Sequence, residues 1–268
     1  MNRPIHDSVV IITGASAGIG LALAEALAAR GAQLVLCARR MDRLEALNQK
    51  LGGGHLPLQI DVSQPADCQR LIESAVTRFG RIDTLVCNAG YGFLKRVTDT
   101  PVADIEAIFR TNVLGTIECI RHAVPLMKRQ AVQAGVRGQV MVVSSAVARR
   151  AIPLFGVYAA TKAAQLSLCE ALRVELASDQ IAVSSVHPVG TETEFWDVSA
   201  SRSLGKKPAA KGEPRQSAAT VAKAMVRAIE HPRPEVWPMP VARWGTTLAT
   251  LVPALADRIL RKRLSGSD

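Results

Sequence analysis

Residues 9–20 read VVIITGASAGIG: an apolar, β-branched run, then glycines at 14, 18 and 20, then the alanine- and leucine-rich stretch LALAEALAA. The order is strand, turn, helix. Gly14 permits the tight turn, Gly18 lets a dinucleotide phosphate approach the backbone, and Gly20 lets the helix pack on the strand. Ser16 and Ile19 lie in the same turn, and the N–H groups of the first helical turn are left for an anion. A glycine turn also serves any buried strand-to-helix connection, so the rest of the chain has to decide between the two uses.

A chain of 268 residues holds one large α/β domain. Apolar residues at 48% and charged residues at 21% fit a globular protein better than a disordered or membrane-spanning one. The opening MNRPIHDS is polar and runs into the first strand, so no signal peptide is expected. The five cysteines follow no C-x-x-C spacing and sit in apolar segments, which reads as reduced core thiols and a cytoplasmic address. The net charge of +10 comes from scattered basic residues, and aromatics make up 4%, so no nucleic-acid partner is expected. The five histidines form no ligand pattern, and no metal is expected.

Strands and helical stretches then alternate. Strands are expected at 33–38, 55–60, 83–87, from Gly138 through QVMVVSS, at 181–186 and near Val236; helices at about 42–51, 64–79, within 101–134, 156–178 and 216–230. This alternation implies parallel pairing, and runs such as VVII and VMVV are apolar on both faces, as a doubly wound sheet with helices on both sides requires. Two stretches break the rhythm. Residues 191–215 are long, polar and follow a strand end, which reads as a substrate lid. Residues 244–264 keep helical spacing of Leu248, Leu251, Val252, Leu255 and Ile259 and end in Arg258, Arg261, Lys262 and Arg263. This is a basic amphipathic helix, expected to pack on its own domain or on a sister subunit, with a membrane surface as the alternative.

Tyr158 and Lys162, in YAATK, stand four apart at the start of a helix and share one face. An ammonium beside a phenol that ordinarily titrates near pH ~10 draws it toward the range useful for proton transfer. Ser145 ends the fifth strand at the sheet edge that also carries the glycine turn, and its hydroxyl is placed to meet a substrate oxygen. Asn112 lies in the long helix, where asparagine should face solvent or have a specific partner.

TGASAGIG at 13–20, CNAG at 87–90, Asn112, Ser145 and YAATK at 158–162 together resemble the short-chain dehydrogenases/reductases, in order and spacing, from about residue 9 to 193. The resemblance implies a single Rossmann-like domain over residues 1–268 and hydride transfer to or from a nicotinamide cofactor. It makes Tyr158 the general acid or base and Ser145 the residue that holds the carbonyl or alcohol oxygen. Lys162 would bind the nicotinamide ribose and lower the Tyr158 pKa, and Asn112 would anchor a relay water. Asn88, Ala89 and Gly90 would support the adenine-side ribose, and Asp61 and Val62 would flank the adenine. It further implies a homodimer or homotetramer built through the helices within 101–134 and 156–178.

At the end of the second strand no acidic residue waits for a ribose hydroxyl; Arg39 and Arg40 stand there instead and favour the 2′-phosphate of NADP(H). After the sixth strand the chain reads HPVGTET, with Val189 where the family commonly has glycine. Pro188, Thr191 and Thr193 remain candidate nicotinamide contacts. Tyr91, Phe93, Phe155, Phe195 and Trp196 are expected near the pocket mouth, and Arg149 and Arg150 could greet an anionic substrate. A catalytically silent NADP-binding regulator is the alternative function, but such a binder has no need of Tyr158 and Ser145.

Overall fold

The structure, a computed structural model, describes residues 2–192, 194 and 216–265. The first stretch folds as expected into β1 (Val9–Thr13) and α1 (Gly18–Ala28). There follow β2 (Gln33–Ala38), α2 (Met41–Lys50), β3 (Leu56–Gln59), α3 (Pro65–Phe79) and β4 (Thr84–Cys87). Then come α4 (Val102–Phe109), α5 (Gly115–Lys128), β5 (Gly138–Val143), α6 (Gly156–Glu175) and β6 (Ile181–Val186). The short strands β7 (Thr191–Glu192) and β8 (Gln216–Ser217) precede α7 (Ala218–Glu230), β9 (Glu235–Val236), α8 (Pro240–Leu251) and α9 (Pro253–Ser265).

Seven strands make one parallel sheet in the order β3-β2-β1-β4-β5-β6-β9. Strand alternation sends Val10 and Ile12 to one face, where Leu23 and Leu27 of α1 and Val221 and Met225 of α7 cover them. Ile11 and Leu85 point to the other face, against Leu71 and Ile72 of α3, Ile120 of α5 and Cys169 of α6. Both faces are therefore dry, which is why the strands read as continuous apolar runs. All five cysteines are free and buried. The strand order reverses between β1 and β4, so the crevice beyond their C-terminal ends is where a sheet of this kind binds ligands.

Three elements differ from the sequence reading. The helix expected within 101–134 is α4 and α5 joined by a π-helical turn, Arg110–Leu114, and α5 stops at Lys128. The helix expected from Gln216 begins at Ala218, because Gln216 and Ser217 pair with Thr191 and Glu192 and Ser217 caps the helix by accepting from Thr220 N at 3.1 Å. The C-terminal helix is two helices, since Pro253 cannot continue α8 and instead opens α9. The expected lid residues 195–215, with Phe195 and Trp196, and also Thr193, lie outside the described residues.

Candidate active site

The glycine turn is latched to β4 through Thr13. Its Oγ1 accepts from the backbone N–H groups of Asn88 and Ala89, both at 2.9 Å, while Asn88 Nδ2 donates to the Thr13 carbonyl at 2.8 Å. Gly14 sits at φ +69°, and a Cβ there would meet Ala89 Cα at 3.0 Å. A Cβ on Gly20 would come within 2.4 Å of the Gly14 carbonyl oxygen and 2.7 Å of Asn88 Nδ2. Helix α1 starts behind Ala17, which offers no side-chain cap, and no acidic residue occupies its first turn. This turn and the start of α1 border a cavity of about 500 Å³, which Gly14, Ser16, Gly18 and Ile19 line from this side. The chemistry of this donor set, uncapped amides behind glycines, suits a phosphate.

The same cavity runs past Arg39 and Arg40, past Asp61 and Val62 after β3, and along Asn88, Ala89 and Gly90 after β4. Arg40 donates to Ser16 Oγ at 3.1 Å and to Glu194 at 3.0 Å, and Arg43 donates to Glu194 at 2.6 Å. Arg39 is exposed and also lines, with Arg70, Gln59 and Asp67, a second cavity at the end of β3. Asp61 uses its carboxylate to accept from Ser63 N at 3.0 Å, which fixes the turn after β3.

At the other end of the cavity stand Ser145, Tyr158, Lys162, Pro188, Val189, Gly190 and Thr191. Ser145 Oγ caps the short helical turn that follows β5, accepting from Val147 N at 3.3 Å, and reaches the Pro188 carbonyl at 3.4 Å. Tyr158 makes a side-chain hydrogen bond with Ser145, and its ring meets Phe155 edge-on at 5.9 Å. Burial pushes the Tyr158 phenol well above its ordinary pKa, with the Ser145 hydrogen bond opposing. That differs from the expectation that Lys162 lowers it. The lysine nitrogen is turned to the Val143 carbonyl and Gln165 Oε1, each at 2.9 Å, and stands 5.6 Å from the Tyr158 ring centre. Burial in turn pulls Lys162 down to about 7.

Asn112 is fully buried and has the specific partners its place demanded. Its amide brackets Tyr91, accepting from Tyr91 N at 3.1 Å and donating to Tyr91 O at 2.9 Å, and also donates to Thr161 Oγ1 at 3.0 Å. Gly90 allows this approach: a Cβ there would lie 3.0 Å from Asn112 Oδ1.

Several other expectations change. Phe93 is in the core with Ile108 and Val157, away from the cavity wall. Arg149 is bonded to Glu235 and Arg150 to Asp257, so neither is presented to a substrate anion. Sequence reasoning missed His187, which stacks on Trp237 at 4.5 Å and bonds Ser185 Oγ and the Ser145 carbonyl, at 2.9 and 3.3 Å. Burial lowers it to about 4, so it is neutral at pH 7 and ties the end of β6 to the Ser145 backbone. It missed Gln165 as well. A polar residue on the buried face of a helix was the available signal for that one.

The family model described as short chain dehydrogenase matches residues 8–203. The chain belongs to that family. It is 32% identical over 271 residues to the uncharacterized oxidoreductase YxnA of Bacillus subtilis (strain 168), covering 99% of this chain and 75% of YxnA. Relatives from Arabidopsis thaliana at 36–37% identity are longer, this chain spanning 54–62% of their length. Among solved structures, 3-ketoacyl-(acyl-carrier-protein) reductase from Brucella melitensis, complexed with NADH, is 26% identical with a TM-score of 0.76, covering 87% of this chain and 97% of that one. Alcohol dehydrogenase from the archaeon Thermococcus sibiricus, complexed with 5-hydroxy-NADP, is 30% identical with a TM-score of 0.73, covering 87% of this chain and 96% of that one. Membership makes the chain an oxidoreductase with a nucleotide-binding fold, and relatives that hold either nicotinamide cofactor support a cofactor of that class.

Proposed function

We propose that the chain is an NADP(H)-dependent oxidoreductase acting on a carbonyl or secondary alcohol. One observation carries this reading. A single cavity joins an uncapped helix N-terminus, two arginines at the end of β2 and the hydrogen-bonded Ser145–Tyr158 pair. A hydride donor or acceptor is what the nicotinamide supplies when bound. The amides around Gly14, Ser16, Gly18 and Ile19 hold its pyrophosphate, with Gly20 keeping the helix close; Asp61, Val62, Asn88, Ala89 and Gly90 line the adenine side; Lys162, Pro188 and Thr191 serve the nicotinamide side, a role the family resemblance alone extends to Thr193. Ser145 orients the substrate oxygen and Tyr158 gives it a proton as the carbon is reduced, or takes one in reverse. Asn112 fixes the floor beneath Tyr91 and Lys162. Tyr91, Ile152 and Phe155 on the cavity wall favour an apolar substrate. NADPH oxidation against ketones, aldehydes, quinones, steroids and acyl-thioester ketones tests the reading, and no turnover of any of them by protein that binds NADPH would return it to the regulator alternative.

Arg39 selects the cofactor. Arg39→Ala weakens NADPH about 10-fold or more, the worth of one charge-assisted bond to the 2′-phosphate, and leaves NADH nearly unchanged. Fluorescence titration with both cofactors checks this; equal losses contradict it.

Exposed Val102, Leu114 and Val174 on α4, the π-turn and α6 suit a homodimer or homotetramer joined through these helices. The tail supports a second reading. Ala256 is buried and Ala242, Ala249 and Leu260 are half-buried, but its larger apolar residues Val241, Trp244, Leu248, Leu251, Val252, Leu255 and Ile259 are exposed, and Arg258, Arg261 and Lys262 lie beside them. No helix among the described residues is long and apolar enough to cross a membrane. The Arg150–Asp257 pair and the bond from Thr250 Oγ1 to the Arg149 carbonyl hold this stripe next to the segment after Ser145. An apolar stripe with a basic end matches an anionic bilayer surface and would place the cavity mouth near lipid-like substrates. The protein then co-sediments with phosphatidylglycerol vesicles, and Leu248→Glu combined with Leu255→Glu releases it; failure of the wild type to sediment more with these than with neutral vesicles removes the reading.

A further inference from the structure

Gln165 lies one helical turn beyond Lys162 on α6 and is 1% exposed. Both ends of its amide are engaged. Oε1 accepts from Lys162 Nζ at 2.9 Å, and Nε2 donates to the Asn112 carbonyl at 2.6 Å and to Thr116 Oγ1 at 3.0 Å. The orientation of the amide follows from these partners, because a flipped amide would set N–H groups against an ammonium. The Asn112 carbonyl is in the π-helical turn and accepts a second bond from Thr116 Oγ1 at 2.8 Å. Asn112 was the expected anchor of a relay water. Here the glutamine side chain fills that link, reaching from the carbonyl to the lysine without an intermediary.

We propose that Gln165 is a positioning residue, which clamps the Lys162 ammonium between the Val143 carbonyl and the Asn112 π-turn and so fixes the cation beside Tyr158. This rests on the assignment of Tyr158 and Lys162 as the reacting pair. The groups around the Lys162 ammonium are the Tyr158 ring and Gln165 from α6, the Val143 carbonyl at the end of β5, and Gly90 after β4 with Asn112 beside it, while Ser144 bonds the Lys162 backbone carbonyl. Among these, Tyr158 is the one other ionisable side chain, and burial keeps it protonated through the neutral range. A titration near neutrality in this socket therefore belongs to Lys162, whose charged form burial disfavours and the Gln165 oxygen favours.

The test is direct titration of Lys162 by NMR in protein carrying carbon-13 at lysine Cε. The chain has nine lysines, and the signal missing from Lys162→Met assigns the one in question. Gln165→Leu removes the acceptor and lowers the Lys162 pKa by about one unit; Gln165→Met, closer in length, does the same if the leucine variant folds poorly. Gln165→Glu places a carboxylate there and raises it. The alkaline limb of the reduction rate, where Lys162 loses its charge, moves down with Leu and up with Glu. A purely structural role lowers melting temperature without moving Lys162 in opposite directions. Unchanged Lys162 titration in folded Leu and Glu variants overturns the proposal. The NMR titration needs no turnover, so an inactive wild type would count against the reductase reading and leave this result standing on its own.

Discussion

Tyr158→Phe lowers carbonyl reduction about 100- to 10,000-fold, the range general acid catalysis spans. The substitution removes one oxygen. The ring that meets Phe155 edge-on stays, as do Lys162 and the cofactor cradle, so NADPH affinity and melting temperature remain close to those of the wild type. The direction of the Tyr158 shift sharpens the expectation. Burial raises its pKa, so the phenol is protonated throughout the neutral range and is ready as an acid for reduction. Alcohol oxidation needs the phenolate; its rate is therefore low at neutral pH and climbs as pH rises toward the raised pKa. Steady-state rates in both directions check this. A phenylalanine variant that keeps more than about a tenth of wild-type reduction would deny Tyr158 the role of proton donor.

Gly20→Ala is the second large effect, and it acts on the fold and the cofactor together. The added methyl would stand 2.4 Å from the Gly14 carbonyl oxygen, and the obstacle is backbone that Thr13 and Asn88 pin to β4. Relief requires α1 to move away from the turn, which costs about 2–3 kcal/mol, or about 5–10 °C in melting temperature. The same movement withdraws the α1 amides from the phosphate position, so NADPH affinity falls well beyond what the stability loss explains. Gly54→Ala is the control. A Cβ there meets nothing within 4 Å, and its melting temperature should match the wild type. Equal behaviour of the two variants in calorimetry and cofactor titration would show that close packing at Gly20 does not shape the cradle.

The parts of this molecule legible in the sequence are those whose physics is local. The glycine turn, the all-apolar strands and the Tyr158–Lys162 spacing each declare themselves within a few residues, and their order along the chain is enough to place them at one edge of a parallel sheet. What escaped depends on partners far away in sequence. The π-turn at Arg110–Leu114 leaves helical periodicity nearly intact while redirecting the Asn112 carbonyl. Gln165 shows in the sequence only as a polar residue on a helix's buried face, and its role emerges when Asn112 and Thr116 arrive from the π-turn and α5. Electrostatics misled in a similar way: four-residue spacing brings Lys162 beside Tyr158, but burial, which spacing does not report, raises the phenol and lowers the amine. Arg149 and Arg150 read as substrate-facing because Glu235 and Asp257 lie about a hundred residues downstream. Pro253 was a local signal overlooked, since the apolar spacing carries across it.

The central claim is hydride transfer from a bound nicotinamide to a carbonyl carbon within the Ser145–Tyr158 cavity, and mass spectrometry of the product made with NADPH carrying deuterium at both hydrogen positions of the nicotinamide carbon 4 tests it most directly. With a carbonyl substrate taken from the turnover panel, the alcohol should be one mass unit heavier, with the label on the carbinol carbon, and Tyr158→Phe should yield almost none of it. An unlabelled alcohol, or label washed into solvent while NADPH is consumed, would contradict it.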